Sequence, residues 1–321
     1  MGGSMGRGRR IPGLLVVACA ILLATGPARS AEEFEKVGTV GLQFLKIGIG
    51  ARATAMGSAF VSVADDATSV YWNPAGIARL PDRSLSFHHV EWYADIQLNQ
   101  AAYVFSVPFL PGAMALHARS LSMGRQPVRT VFRPDGEGVT HDAGDLSLGF
   151  SYARMLTDKF STGLTIHYLQ STLAEWTSEG IAFDFGTLYD TGYQSLTIGM
   201  SIQSIGSQMV FVEDPVKLPT TFRVGMSMDL IRVGAQTLLL AGEFQHPPDN
   251  EERGNVGAEL SVGGFAFLRG GWYYRYDQEH LSIGGGVRVP SLVGNGLVAD
   301  YSYTENHDLP GIHRLSLDFR F

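Results

Sequence analysis

The stretch RLSLDFRF, Arg314–Phe321, alternates without a break: Leu315, Leu317, Phe319 and Phe321 stand against Arg314, Ser316, Asp318 and Arg320. Successive side chains of a β-strand point to opposite faces, so such a segment carries one apolar and one polar face. The pattern recurs along the chain. Ile181, Phe183 and Phe185 alternate with Ala182, Asp184 and Gly186, and Leu196, Ile198, Met200 and Ile202 with Thr197, Gly199, Ser201 and Gln203. Read from Ser84 onward, it predicts strands near 84–92, 98–109, 112–122, 144–156, 159–173, 178–190, 194–204, 217–230, 236–245, 254–262, 265–276, 281–289, 296–304 and 312–321. That is fourteen, an even number, as a single-chain bacterial barrel with both ends on one side requires.

A chain of this kind is either a soluble all-β protein or a transmembrane antiparallel β-barrel, and the connections decide. Outer-membrane barrels have short periplasmic turns and longer outer loops. Tight links are expected after even strands, at Leu110-Pro111-Gly112, Thr157-Asp158 and Gly263-Gly264. Longer ones follow odd strands, at 123–143, 205–216, 246–253 and 305–311; the link through 290–295 breaks the rule. Trp92, Tyr93, Trp176, Tyr273, Tyr274, Tyr276 and Tyr303 are expected at the outer membrane–water boundary, which suits an apolar ring with a polar tip. The terminal Phe321, with Phe319 two residues before it, resembles the C-terminal signal by which the barrel-assembly machinery recognises its substrates for insertion.

The first residues read as an address. Arg7, Arg9 and Arg10 precede a short apolar run, 11–25, and Ala28-Arg29-Ser30 supplies the small residues of a signal-peptidase site. Residues 1–30 are therefore expected to be a secretory signal peptide; the run is short for a spanning helix. The single cysteine, Cys19, falls inside it, so the remaining chain has no disulfide or thiolate chemistry. Loss of the leader removes four arginines and takes the net charge from −7 to about −11, against nucleic-acid binding, which needs a basic face. The predicted location is the bacterial outer membrane, among its lipids.

A barrel of fourteen strands encloses more space than its own side chains fill. The segment GARATAMGSAFVSVADDATSVYWNPAG, Gly50–Gly76, precedes the first strand and is small, irregular and partly charged. Irregular backbone at membrane depth is tolerated only where protein or a watery cavity surrounds it. Residues 31–83 are therefore read as a periplasmic and lumenal hatch segment, and 84–321 as the barrel. A buried Arg52 needs a carboxylate, and Asp65 or Asp66 is the candidate, as anchor or as latch. Pro74 pushes Asn73 towards an extended conformation and, with Asn and Gly, makes a kinked point.

On Gly50-Ala51-Arg52, Ala55-Met56-Gly57, Ala64-Asp65-Asp66, Trp72-Asn73-Pro74-Ala75-Gly76 and the following HVEWYADI, His89–Ile96, the chain resembles the PorV/PorQ family of outer-membrane proteins, relatives of FadL-type channels. The resemblance implies a hatched fourteen-stranded barrel, with Asn73, Pro74, Ala75 and Gly76 in the hatch motif. It also implies one of two roles. One is protein export or surface attachment of the type IX secretion kind, with secreted cargo proteins as partners. The other is a passive channel for hydrophobic small molecules.

Catalytic readings find little support. GIGARA, Gly48–Ala53, imitates part of a dinucleotide-binding turn without the βαβ unit that motif needs. His88 and His89 are adjacent in a strand and face opposite ways. His141-Asp142 is a loop pair without a recognisable partner motif. No enzyme activity, metal or cofactor is expected. The acids Asp135, Glu137, Asp142, Glu213, Asp214, Asp249, Glu251, Glu252, Asp277 and Glu279 are expected to be solvated in the outer loops.

Overall fold

The computed structural model describes residues 38–80, 83–135, 138, 140–211, 214–289 and 296–321. The expected signal peptide, Glu137 and Glu213 lie outside them. Fourteen strands close into an antiparallel barrel. They are Ser84–Glu91, Gln97–Val107, Leu110–Ser122, Ala143–Met155, Phe160–Leu173, Trp176–Asp190, Thr197–Gly206, Thr221–Val233, Gln236–His246, Arg253–Val262, Ala266–Tyr274, Glu279–Val289, Gly296–Asn306 and Ile312–Arg320. Every strand pairs with the next in sequence, and the last closes on the first, Ser84 opposite Arg320 through Glu91 opposite His313. Closure leaves no open strand edge, which is what lipid demands of a sheet. No described helix is long and apolar enough to cross a membrane, a test that does not bear on strands.

The alternation places apolar side chains outside. In the last strand Arg314 and Ser316 are buried, whereas Leu315 is 56% and Leu317 43% exposed. In the first, Ser84, Ser86 and His88 are buried and Phe87 is exposed. A water-soluble sandwich would bury the other face. This is the inside-out pattern of a membrane barrel.

Tight connections gather at one end of the barrel, at 108–109, 156–159, 234–235 and 263–265, and the longest, 123–142 and 207–220, at the other. Two expectations need correction. Leu110-Pro111-Gly112 belongs to the third strand, and Pro108-Phe109 makes the turn before it. At the long-loop end, Ala174-Glu175 alone joins the fifth and sixth strands, with Ala174 in the left-handed region at φ 55°. Two ribbons, Gln126–Pro127 with Thr140–His141 and Met209–Phe211 with Asp214–Val216, stiffen the long connections.

Residues 38–80 occupy the lumen. Short helical turns at Gln43–Lys46, Ala51–Ala55, Ser69–Trp72 and Pro74–Arg79 alternate with irregular backbone. The segment begins at the long-loop end, where Val40 bridges Lys217, and reaches the short-turn end, where Pro74 lies against Gly163. Its apolar side chains complete small cores with inward-facing wall residues. Leu42, Phe44 and Ile49 meet Val90, Leu98, Leu121 and Ile312, while Val70 and Ile77 meet Val104 and Ala115. Trp72 is wholly buried, donates from Nε1 to the Ile49 carbonyl at 2.9 Å, and meets Tyr71 and Phe60 edge-on.

Wall glycines let the plug backbone come close. A Cβ at Gly271 would stand 1.9 Å from the Gly57 nitrogen, and one at Gly186 2.1 Å from Asn73 Oδ1. Glycine inside a strand weakens the strand, and it is placed where another backbone presses against it.

Candidate functional site

Arg52 sits where plug meets wall. Its Nε and Nη2 donate to Glu259 Oε2 and Oε1 at 2.8 and 2.9 Å, and its Nη1 bonds Asp66 Oδ2 at 3.2 Å and also Asp65. Glu259 also accepts from Arg269 Nε at 2.6 Å, and Arg269 Nη1 reaches Asp300 at 2.5 Å. The guanidinium lies 5.3 Å from the centre of the Phe60 ring. The structure thus joins Arg52 to both candidate acids and adds Glu259, which the sequence reading missed. Glu259 lies 207 residues away along the chain; the one signal was its inward phase in the tenth strand.

Asn73, Pro74, Ala75 and Gly76 are buried. Asn73 is extended, with φ −163°, and its Nδ2 donates to the carbonyls of Val61, at 2.8 Å, and Thr187, at 3.0 Å. Its Oδ1 accepts from the Ala75 N–H at 3.2 Å and caps the Pro74–Arg79 turn. One amide side chain therefore fastens two parts of the plug to a wall strand. Gly76 is forced by packing, since a Cβ there would stand 2.1 Å from the Ala64 carbonyl oxygen. A second clamp is Glu243, whose Oε2 accepts the Phe60 and Val61 N–H groups at 3.0 and 2.9 Å while its Oε1 takes Arg223 Nη1 at 2.9 Å.

Above the plug, at the long-loop end, lies a cavity of about 490 Å³. Leu42, Ile96, Leu121 and Ile312 give it apolar walls, and Trp92, Tyr273, Tyr276, Arg253, Arg314 and Glu279 its polar groups. This size falls within the usual range for small-molecule sites. Here the aromatic expectation divides. Trp176 and Tyr274 are exposed on the outside, but Tyr273 is buried, with its hydroxyl 3.0 Å from Ser58 Oγ, and Trp92 and Tyr276 line the cavity. A ring's face is set by strand phase, and that phase puts Tyr273 inside.

The expectation of solvated loop acids also needs correction at two places. Asp249 is only 2% exposed, and its carboxylate takes Lys46 Nζ at 2.9 Å and Gln43 Nε2 at 3.1 Å. Burial pushes this carboxyl up, but the bonds from Lys46 and Gln43 outweigh it and hold it below the ordinary carboxylate range. Glu279 opens the twelfth strand and borders the cavity. Asp142 is exposed, 3.6 Å from Arg125 Nε.

His88 and His89 part as strand geometry requires: His88 Nδ1 meets Ser316 Oγ at 2.8 Å inside, and His89 Nδ1 meets Asn99 Oδ1 at 2.7 Å outside. Within the lumen, Ser147 Oγ lies 3.2 Å from His167 Nδ1, whose Nε2 is 2.8 Å from Asp184 Oδ2. The order imitates a hydrolase triad, but the space beside it is about 20 Å³ and capped by Leu45 and Tyr71, room for one water and no substrate. Among the described residues no cluster of His, Cys, Asp and Glu is arranged to hold a metal.

Comparison with known proteins is decisive at the family level. A family model described as type IX secretion system protein PorV matches residues 30–246, more than half of the chain, including the whole described plug. The chain belongs to the PorV family. A search of curated proteins finds no match. Among solved structures, the barrel is similar to the CymD monoaromatic hydrocarbon channel, with TM-score 0.62 and 11% identity over 85% of this chain and 98% of that one. It is also similar to the Ralstonia pickettii toluene transporter TbuX, with TM-score 0.58 and 16% identity over 85% and 98%. The Pseudomonas putida toluene transporter TodX gives TM-score 0.58 and 11% identity over 85% and 99%. At such identities the likeness is one of fold: this PorV-family chain has the FadL-like architecture, a fourteen-strand barrel in lipid. The family model is described as that of a secretion-system protein, and the three solved structures as a channel and two transporters.

Proposed function

We propose that this PorV-family barrel resides in the bacterial outer membrane and acts, without catalysis, in protein export or surface attachment of the type IX kind. The observation that carries the reading is the family match through plug and wall. In this reading residues 1–30 direct the chain across the inner membrane, 31–83 form the hatch segment, and 84–321 form the barrel. Phe319 and Phe321 are the residues offered to the barrel-assembly machinery. Asn73, Pro74, Ala75 and Gly76 form the hinge of the hatch, and Arg52 with Asp65, Asp66 and Glu259 its latch. Secreted cargo proteins are the partners.

A second reading, a passive channel for hydrophobic small molecules, draws on the cavity above the plug. Extraction of the native protein from its own membrane in mild detergent, with mass spectrometry of whatever stays bound, separates the two. Secreted proteins sharing a C-terminal domain are the expected result. Apolar small molecules without any protein partner would replace export by the channel.

A further inference from the structure

The outward face of the first three strands carries a furrow of about 520 Å³. Its floor is made of small residues: Ala101 and Ala118 stand directly opposite each other, and Ser120 follows two positions on. Phe87, Leu315 and Leu317 rise on one flank and Leu146 on the other. The sheet beneath is unbroken, since Phe87 pairs with Leu317 and Ala101, and Ala118 with Leu148. The furrow is thus a recess in the lipid-facing wall, continuous with the apolar surface that lipid already covers.

Its end toward the long loops is polar. His89, Asn99 and Ser120 lie side by side across the three strands. Their neighbours at the same level are leucines, Leu315 opposite His89 and Leu146 opposite Ser120, so the polar groups cut into the apolar band. One step above Leu315 on the same face comes His313, held by the Tyr301 hydroxyl at 2.7 Å and by the Tyr303 ring. Such aromatic groups mark the membrane–water boundary. The notch therefore sits at the top of the hydrocarbon, the level of a lipid's acyl linkages. His89 Nδ1 is 2.7 Å from Asn99 Oδ1, the one hydrogen bond of either side chain among the described residues. A carbonyl oxygen only accepts, so Nδ1 carries the proton and Nε2 remains an acceptor, while Asn99 keeps its Nδ2 donors. Polar groups that face hydrocarbon without partners are costly. An amide answers both, with a carbonyl for Asn99 and an N–H for His89; an ester answers only the first.

We propose that the furrow binds a lipid with an amide-linked acyl chain, drawn from the leaflet at the long-loop end. The chain lies over Ala101 and Ala118, between Phe87 and Leu146, and the amide pairs with Asn99 and His89. The site is on the outside of the wall, apart from the cavity above the plug. It does not depend on which transport role the barrel plays.

The test mixes the full barrel, in a neutral-headed detergent, with ceramide or with diacylglycerol of equal chain length and counts retained lipid by native mass spectrometry. Both probes have uncharged heads, and only ceramide carries the amide. Ceramide is expected to be retained about fivefold more, the effect of one additional hydrogen bond. Asn99→Leu and His89→Phe, which make the wall more apolar and leave the lumen alone, each bring the two lipids to equal retention. Ala118→Leu fills the floor and lowers the retention of both. A photoreactive ceramide labels the first three strands. Equal retention of the two lipids, or an undiminished preference in folded Asn99→Leu, overturns the site, as does labelling spread evenly around the wall. A membrane protein that co-purifies on these strands and excludes ceramide also overturns it. Loss of cargo association with ceramide retention intact would count against export and leave the lipid site standing.

Discussion

Arg52 on the plug and Glu259 on the wall face each other in a two-pronged pairing, with both N···O distances below 3 Å. The same carboxylate is shared with Arg269, so removing it uncovers two guanidinium groups at once. Breaking a buried ion pair costs about 3–5 kcal/mol because the remaining charge has no partner. Glu259→Gln is therefore expected to lower the unfolding temperature and to raise single-channel conductance in planar bilayers. Unchanged conductance and stability would remove the latch role.

The contact of Asp249 with the plug has a sign that pH can read. Lys46 and Gln43 hold the Asp249 carboxyl below its ordinary value. A depressed folded value means the contact contributes fully above the unfolded value of about 4 and is lost as pH falls through the lower folded one. The plug's upper end is expected to stay docked at pH 5 and to loosen only well below pH 4. Hydrogen exchange across residues 40–47 follows it. Loosening at pH 5 or 6 would place the control elsewhere.

Gly271 tests the fit between plug and wall. Its missing Cβ leaves room for the Gly57 backbone, which cannot give way as a flexible side chain would. Overpacking of this kind costs about 1–3 kcal/mol. Gly271→Ala is expected to keep the barrel closed, with its heat-modifiable mobility on gels, while the plug becomes accessible to protease. Gly242, whose Cβ would meet nothing within 4 Å, is the control, and Gly242→Ala should be silent.

Trp72 is the largest fully buried side chain. Trp72→Ala removes it, together with its hydrogen bond to Ile49, at about 3–5 kcal/mol. The loss belongs to the plug, so thermal unfolding is expected to show an early phase before the barrel melts. A single unshifted transition would mean that the plug contributes nothing to stability.

The barrel was legible because period-two alternation is local: Leu315 and Arg314 announce their faces without reference to any other strand. The short ends were less so. Pro111-Gly112 carries turn residues and yet continues a strand, because Val107 pairs with Leu110 and closes the turn first. The site was half legible. Arg52 and the neighbouring acids stood out as charges among small residues, whereas Glu259, Glu243 and Asp249 contact the plug from far along the chain. No pattern within a window predicts which of many acids will meet one arginine. Tyr273 and Tyr276 mark a second limit: aromatic position along a strand gives height, and only phase gives the face.

The plug's contacts are unevenly shared along the chain. Its first half is gripped from the late part of the chain: the Ala51 N–H by Ser316 Oγ, Thr54 Oγ1 by Ser302 Oγ and the Gly57 N–H by Ser282 Oγ. Thirteen of the fourteen strand pairings join neighbours in sequence; the seam between Ser84–Glu91 and Ile312–Arg320 joins the two ends. Closing so long a loop carries the largest entropic cost of any pairing. A segment tethered just ahead of the first strand, and bonded to the last ones, holds both ends of the ring against one body. The piece that fills the lumen thereby also ties the first and last strands of the ring together.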